Sequence, residues 1–417
     1  MILYNAHNLN SLYRKEVYMT KELKPGIWWN GVFDRGLKTF DIIMTTEFGT
    51  TYNAYTVKGR EKTALIETAK EPFKDEYFVE LEEILGDSPV DYIIVNHTEP
   101  DHSGSLDILL DKYPDAVVYG SSSAIMFLKE IVNKPFNSHT VSDGETLSLG
   151  GRSIQFISAP NLHWPDTIYS YLKEDNMLFT CDSFGAHYGA EGILRSEIEN
   201  EADYMKAAKY YFDKILGPFK PFMQKALAKI ADLPIDMICT GHGPVLDTKI
   251  HEFMDIYKDW SRLPEKHEQK TAVIAYVSSY GYTKQIAWHI QKGLEAAGLS
   301  VRTFNLIEDD TKELDEALAD ADAILLGSPT MLSDALKPVY DLSSTMLPVT
   351  HGGKYATAFG SYGWSGEAVK NLCERLKQLR MKVTDGIRVR LKPDDAQLKS
   401  CFEFGKNFGE TVKGKAD

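Results

Sequence analysis

The chain has 417 residues, 43% apolar and 25% charged, which is the composition of a globular protein long enough for two or three cores. Its formal net charge of −14 argues against nucleic acid or an anionic membrane as partner, since both are bound through clustered Lys and Arg. Met1 to Lys24 has no continuous apolar run, so neither a signal peptide nor a membrane helix is expected, and the chain reads as cytoplasmic. The four cysteines, Cys181, Cys239, Cys373 and Cys401, form no CxxC pair, which excludes a disulfide scaffold, a zinc knuckle or an internal rubredoxin-like module.

From Pro25 to Ile94 the pattern is strand-like and broken by turns: GIWWNGVFD, FDIIMTTEFGTTYNAYTV and KTALIETA. An amphipathic helix over Lys74–Leu85 and the apolar strand DYIIVNH follow. Helices and strands then alternate, and AVVYGSSS, SIQFISAP, TIYSYLKEDNMLFTCDSFG and MICTGHG each end in polar residues. Around Asp259–Lys270 a proline among charges marks a linker. Beyond it, strand TAVIAYV, helix 283–297, strand VRTFNL, helix 311–320, strand AILLGS, helix 335–346, strand YATAFGS, helix 366–379, a short strand near 382–384 and helix 394–412 succeed one another. That alternation predicts an α/β fold with a doubly wound parallel sheet and right-handed crossovers. Domains are expected over 1–265 and 271–417.

The first chemical pattern is Asn96-His97-Thr98-Glu99-Pro100-Asp101-His102, four potential metal ligands directly after an apolar strand. The expectation is a strand that stops and turns back at Pro100, aiming alternate side chains at one point. His163 in APNLHWPDT, Asp182 in LFTCDSFG and His242 in CTGHGP lie at the ends of later strands. So many imidazoles and carboxylates at one end of a sheet are costly to desolvate unless a cation compensates them. Glu99, a hard anionic donor, shifts preference from zinc toward iron or manganese. His187, in FGAHYG, is either a donor behind the ligands or an ordinary polar loop residue.

The second pattern is Ser278-Ser279-Tyr280-Gly281-Tyr282-Thr283, a hydroxyl-rich loop feeding a helix. Its amides and the positive end of the helix dipole suit a phosphate. It lacks the Lys of a triphosphate loop and the GxGxxG of a dinucleotide site, so a monophosphate fits best. The loops Gly327-Ser328-Pro329-Thr330-Met331-Leu332 and Gly360-Ser361-Tyr362-Gly363-Trp364-Ser365-Gly366 should converge on it at the switch point of the sheet, where FMN is held in flavodoxin-like domains. Thr330 and Met331 would meet the isoalloxazine edge, and Tyr362 and Trp364 offer aromatic faces.

The HxExDH segment with the later His, Asp and His resembles the metallo-β-lactamase superfamily, with Glu99 in place of the second histidine of HxHxDH. That resemblance implies an αβ/βα sandwich holding two metals. Asp182 would bridge His97, Glu99 and His163 on one metal and Asp101, His102 and His242 on the other, with three carboxylate charges against the four of two ferrous ions. HxExDH, LHWPDT, CDSFG and GHGP followed by a flavodoxin-like domain, together with TTEFGTTYNAY, resemble the flavodiiron proteins, or A-type flavoproteins, over nearly the whole chain. The resemblance implies FMN feeding a diiron centre that reduces O2 to water, NO to nitrous oxide, or both. It also implies a head-to-tail homodimer or dimer of dimers and a separate electron donor, a rubredoxin-like carrier or flavin reductase. A dinuclear hydrolase with a regulatory flavin domain, and an electron carrier with a structural metal domain, are the competing expectations.

Overall fold

The computed structural model describes residues 20–42, 44–263 and 268–414. The expectations for Met1–Met19 and for the central part of the linker therefore lie outside the described residues. Two compact units divide the chain, Met1–Leu263 and Pro264–Asp417.

The first unit is built on two facing sheets. In the larger, Lys21–Lys24, Ile27–Trp29, Tyr55–Lys58, Thr63–Ile66, Tyr92–Ile94, Val117–Gly120 and Ser138–Thr140 lie side by side. The first four pair antiparallel and the last four parallel. The smaller sheet runs Thr146–Ser148, Ser153–Ser158, Ile168–Leu172, Met177–Cys181 and Met237–Thr240, antiparallel except for the last pair. Ile27, Trp29, Tyr55, Val57 and Ile94 of one sheet pack with Ile154, Phe156, Ile168, Phe179 and Met237 of the other in one buried cluster. The opposite faces are covered by helices such as Lys74–Leu85, Leu106–Lys112, Glu201–Tyr211 and Ile250–Trp260. That layering is the expected αβ/βα sandwich. The strand-like stretch before Ile94 also contains two short separate ladders, Val32–Asp34 with Thr50–Tyr52 and Thr39–Phe40 with Met44–Thr45.

The second unit is a parallel sheet in the order Ser300–Asn305, Thr271–Tyr276, Ala323–Gly327, Tyr355–Tyr362, Lys382–Val383. Its central strands, Thr271–Tyr276, Ala323–Gly327 and Tyr355–Tyr362, are mostly apolar because both of their faces are buried. Helices Tyr282–Ala296 and Asp395–Val412 cover one face, and Leu314–Asp320, Lys337–Thr345 and Glu367–Gln378 the other. The helix ends differ from expectation by at most three residues. Two elements were not foreseen: the short helix Pro348–His351, and Ile387–Arg390, which pairs with Phe359–Tyr362. Ile387 and Val389 alternate with Arg388 and Arg390, but four residues are too short a run for that period to stand out in the sequence.

All four cysteines are free and buried, Cys181 and Cys239 in the first unit and Cys373 and Cys401 in the second. Among the described residues no helix is long and apolar enough to cross a membrane.

Candidate metal centre and flavin loops

The seven candidate ligands all follow strands at one end of the sandwich. His97 comes three residues after Tyr92–Ile94, Asp182 immediately follows Met177–Cys181, His242 comes two after Met237–Thr240, and His163 sits in the loop joining Ser153–Ser158 to Ile168–Leu172. The expected strand reversal at Pro100 is corrected by the structure. Pro100–Ser103 forms one helical turn with Pro100 in its first positions, where proline costs no hydrogen bond. Asp101 and His102 therefore project from a helix, not from a returning strand.

Two donor sets result. His97 Nε2 lies 3.2 Å from Glu99 Oε2 and 3.5 Å from Asp182 Oδ2, while His163 Nε2 lies 2.8 and 3.5 Å from the same two oxygens. On the other side His102 Nε2 is 3.3 Å from Asp101 Oδ2 and 3.1 Å from Asp182 Oδ1, and His242 Nε2 is 3.0 and 3.6 Å from those atoms. Asp182 thus turns one oxygen to each set. Donor atoms sharing an ion at bonds of about 2.0–2.2 Å stand roughly 2.8–3.6 Å apart at right or tetrahedral angles, the range seen here. Both Asp101 oxygens and Asp182 Oδ2 are buried without a hydrogen-bond partner among the described residues. A largely buried cluster in which two carboxylates leave three oxygens without a hydrogen-bond partner, ringed by imidazole nitrogens, suits a pair of cations.

The electrostatics agree. Burial works to raise the Asp182 pKa, but the imidazoles of His102, His97 and His163 outweigh it and hold the carboxyl well below the usual range. For Glu99, burial is likewise overcome by His163 and His97. For His102, burial is overcome by Asp101 and Asp182, which push it up to about 9.

Local sequence places these groups. Gly241 must lack a side chain, because a Cβ there would stand 2.7 Å from His102 Cε1 and 3.0 Å from the Cys181 carbonyl carbon. Gly243 has φ +74°, and its Cβ would stand 2.6 Å from the Ala186 oxygen. The GHG spacing is thus what lets His242 reach the cluster.

The structure also brings in residues that spacing did not single out. Asp166 Oδ2 lies 3.2 Å from His97 Nδ1 and accepts the Thr98 N–H and O–H at 2.7 and 2.9 Å. The Tyr211 hydroxyl donates to Asp182 Oδ1 at 2.9 Å. Asn53 donates from Nδ2 to the carbonyls of Thr240 and Gly243, each at 2.9 Å, and accepts from Trp29 Nε1 at 2.8 Å. Asp166 stands in LHWPDT and Asn53 in TTYNAY, but nothing in either segment reveals partners so distant in sequence. His187 is buried beside the cluster, its ring centroid 5.1 Å from that of His242 and 4.3 Å from that of Phe40. Its Nδ1 meets Thr50 Oγ1 at 2.9 Å and its Nε2 is buried without a partner. Burial, then the neighbouring His242, holds its pKa well below the ordinary value.

In the second unit the three loops at the strand ends meet. Thr283 Oγ1 and Ser361 Oγ are 2.9 Å apart, the Thr330 N–H donates to the Ser361 carbonyl at 2.8 Å, and Ser279 Oγ approaches Met331 Sδ at 3.8 Å. Ser328 Oγ accepts the Leu336 N–H at 2.9 Å and Ser278 Oγ the Lys284 N–H at 3.2 Å, so these two hydroxyls brace their own loops. Gly281, φ +79°, has open space where a Cβ would be. Tyr280 and Trp364 are 76% and 84% exposed, free to cover a planar group. Pro329, Tyr282, Tyr362, Gly363, Ser365 and Gly366 belong to the same three loop segments, and Gly366 adopts φ +83° at the start of helix Glu367–Gln378.

Comparison with known proteins gives the lineage. Residues 50–243 match a family model described as ODP family beta lactamase, and residues 274–405 match that of flavodoxin. The chain is 37% identical over 398 residues to a flavo-diiron protein of Clostridium acetobutylicum, covering 94% of this chain and 99% of that one. It is 35% identical to a nitric oxide reductase of Moorella thermoacetica, over 93% of this chain and 97% of the other. Among solved structures it resembles the rubredoxin oxygen:oxidoreductase of Desulfovibrio gigas, with a TM-score of 0.66 and 26% identity over 95% of this chain and 99% of that chain. Fold, motifs and full-length similarity together make the chain a member of the flavodiiron protein family, oxidoreductases that pair FMN with a diiron centre.

Proposed function

We propose that the chain uses electrons delivered through FMN to reduce dioxygen to water, nitric oxide to nitrous oxide, or both. The observation that carries this reading is the pair of donor sets sharing Asp182, each mixing imidazole with carboxylate, in a chain that also holds converging flavin loops. Such mixed shells suit iron. In this reading His97, Glu99 and His163 hold one iron and Asp101, His102 and His242 the other, with Asp182 between them. Two irons held there would offer O2 or NO open coordination positions and one electron each, with FMN supplying the further electrons that full reduction of O2 requires.

The chain's own residues prepare that site. The Thr51 carbonyl, 2.6 Å from His242 Nδ1, fixes that ring with Nε2 toward the cluster. The Tyr211 hydroxyl holds Asp182 Oδ1. His187 presents its unpaired Nε2 beside the His242 side, where it could meet a small ligand. Phe40 and Tyr52 pack their rings 5.4 and 5.7 Å from that of His242 and limit water. FMN would rest on Ser278–Thr283, Ser328–Met331 and Ser361–Gly366, its phosphate at the amino end of helix Tyr282–Ala296.

The proposed domains are 1–265 for the irons and 271–417 for FMN. Electron transfer falls steeply with distance, so a head-to-tail homodimer, or a dimer of dimers, would bring one subunit's flavin to its neighbour's irons. With no CxxC pair in the chain, a separate rubredoxin-like carrier or flavin reductase would supply electrons. Two of the similar proteins, a nitric oxide reductase and a rubredoxin oxygen:oxidoreductase, support both substrates. The test is anaerobic reduction followed by O2 or NO in parallel, with iron and flavin measured on the same sample. Glu99→Ala should abolish gas consumption while FMN stays bound. Two zincs per chain with thioester hydrolysis and no gas consumption would overturn the reading.

A further inference from the structure

The imidazoles that face Asp182 differ in what lies behind them. His97 Nδ1 has the Asp166 carboxylate at 3.2 Å, His242 Nδ1 has a neutral carbonyl, that of Thr51, at 2.6 Å, and His102 Nδ1 is buried with no hydrogen-bond partner among the described residues. Asp166 is fully buried. The oxygen it turns to His97 also takes both donors of Thr98, so it is locked to the segment that carries His97 and Glu99. The loop that places Asp166 also supplies His163, and its Trp164 ring lies edge-on to His97 with centroids 5.2 Å apart. One loop thus contributes a ligand to one metal position and fixes a second ligand of that same position.

An anionic acceptor hydrogen-bonded behind an imidazole does two things that a neutral carbonyl does less well. It pins the proton on Nδ1, leaving the Nε2 lone pair for the metal, and it raises the basicity of the ring. We propose that Asp166 is a positioning residue that makes the His97–Glu99–His163 position the tighter and more electron-rich of the two, so that the two metals bind and leave in a fixed order. The inference rests on the ligand assignment proposed above, and goes beyond it by making the two positions unequal for a stated reason.

The experiment uses the full chain with FMN bound, stripped of iron and titrated anaerobically with Co(II) against a competing chelator, with d–d absorption as readout. Mössbauer spectra of samples loaded with one and two equivalents of 57Fe(II) complement it. The native chain should bind two ions in two resolved steps. Asp166→Asn, which keeps the size but not the charge, should weaken the first step by about 10–100-fold and leave the second unchanged. In the native Asp166 background, His242→Ala should keep one ion at the tighter affinity and His97→Ala one at the weaker, a comparison that stands even if the Asp166 variant fails to fold. Two equal steps that Asp166→Asn does not alter, a loss confined to the second step, or the reverse order in the two histidine variants would overturn the inference. A native chain that takes up fewer than two ions would instead remove the ligand assignment beneath it.

Discussion

Asn53→Ala tests whether the first strands of the chain hold the metal site together. Asn53 is fully buried and ties three segments: Trp29 donates to its Oδ1, and its Nδ2 donates to the Thr240 and Gly243 carbonyls that flank His242. Truncation leaves the Trp29 N–H buried with no acceptor. The Gly243 carbonyl keeps only a 3.4 Å contact with Thr51 Oγ1, whereas the Thr240 carbonyl still takes the Tyr55 hydroxyl at 2.6 Å. An orphaned buried donor costs about 1–3 kcal/mol and a poorly satisfied carbonyl about 1 kcal/mol more, so the first unit should lose roughly 2–4 kcal/mol. Asn53→Asp, which keeps the acceptor for Trp29 but sets a carboxylate against two carbonyls, should be at least as damaging. Urea unfolding followed by tryptophan fluorescence gives the stability change, and metal analysis gives the occupancy of the Asp101–His102–His242 set, which should fall. A loss below about 0.5 kcal/mol with both metals retained would refute the reasoning, because surface-like changes lie in that range.

Thr283→Val removes the hydroxyl that meets Ser361 in a buried contact; losing about 1 kcal/mol there should raise the FMN dissociation constant several-fold while metal content stays constant, as fluorescence titration would show. Gly241→Ala forces a methyl against His102 Cε1 and the backbone at Cys181, so it should destabilise the first unit by about 1–3 kcal/mol and lower metal occupancy, measured by thermal unfolding and metal analysis. For pH, His351 is informative because it lies outside both sites. Burial holds its pKa below the ordinary 6.5, and its Nδ1 lies 3.1 Å from the Leu347 N–H. The unfolded chain therefore binds more protons just below pH 6.5, so this contribution to stability is complete above that pH and is lost as pH falls through the folded value. Unfolding of the second unit between pH 7.5 and 5 should show that slope, and His351→Asn should flatten it.

The candidate ligands were legible because metal chemistry restricts residue type and spacing together: His97, Glu99, Asp101 and His102 fall within six positions. Helix Lys74–Leu85 and the alternation after Thr271 were legible for a similar reason, since hydrophobic period is local. The helical turn at Pro100–Ser103 was not, because four residues are too few to show a period, and tertiary packing decides their conformation. Asp166, Tyr211 and Asn53 escaped for another reason. Their partners lie 68 or 69, 29 and up to 190 residues away, so only the folded chain reveals what each touches. His187 lay between the two cases: its type suggested a role, but only the structure places it beside His242.

The four thiols offer a use unrelated to the reaction. Two are enclosed in each unit, and burial pushes each of them up, Cys401 to about 11, so the folded chain should resist alkylation. A brief pulse of iodoacetamide during denaturation, followed by peptide mass mapping, would therefore time the opening of each half separately through Cys181 and Cys239 or Cys373 and Cys401. The protein can report the sequence of its own disassembly without any label being engineered into it.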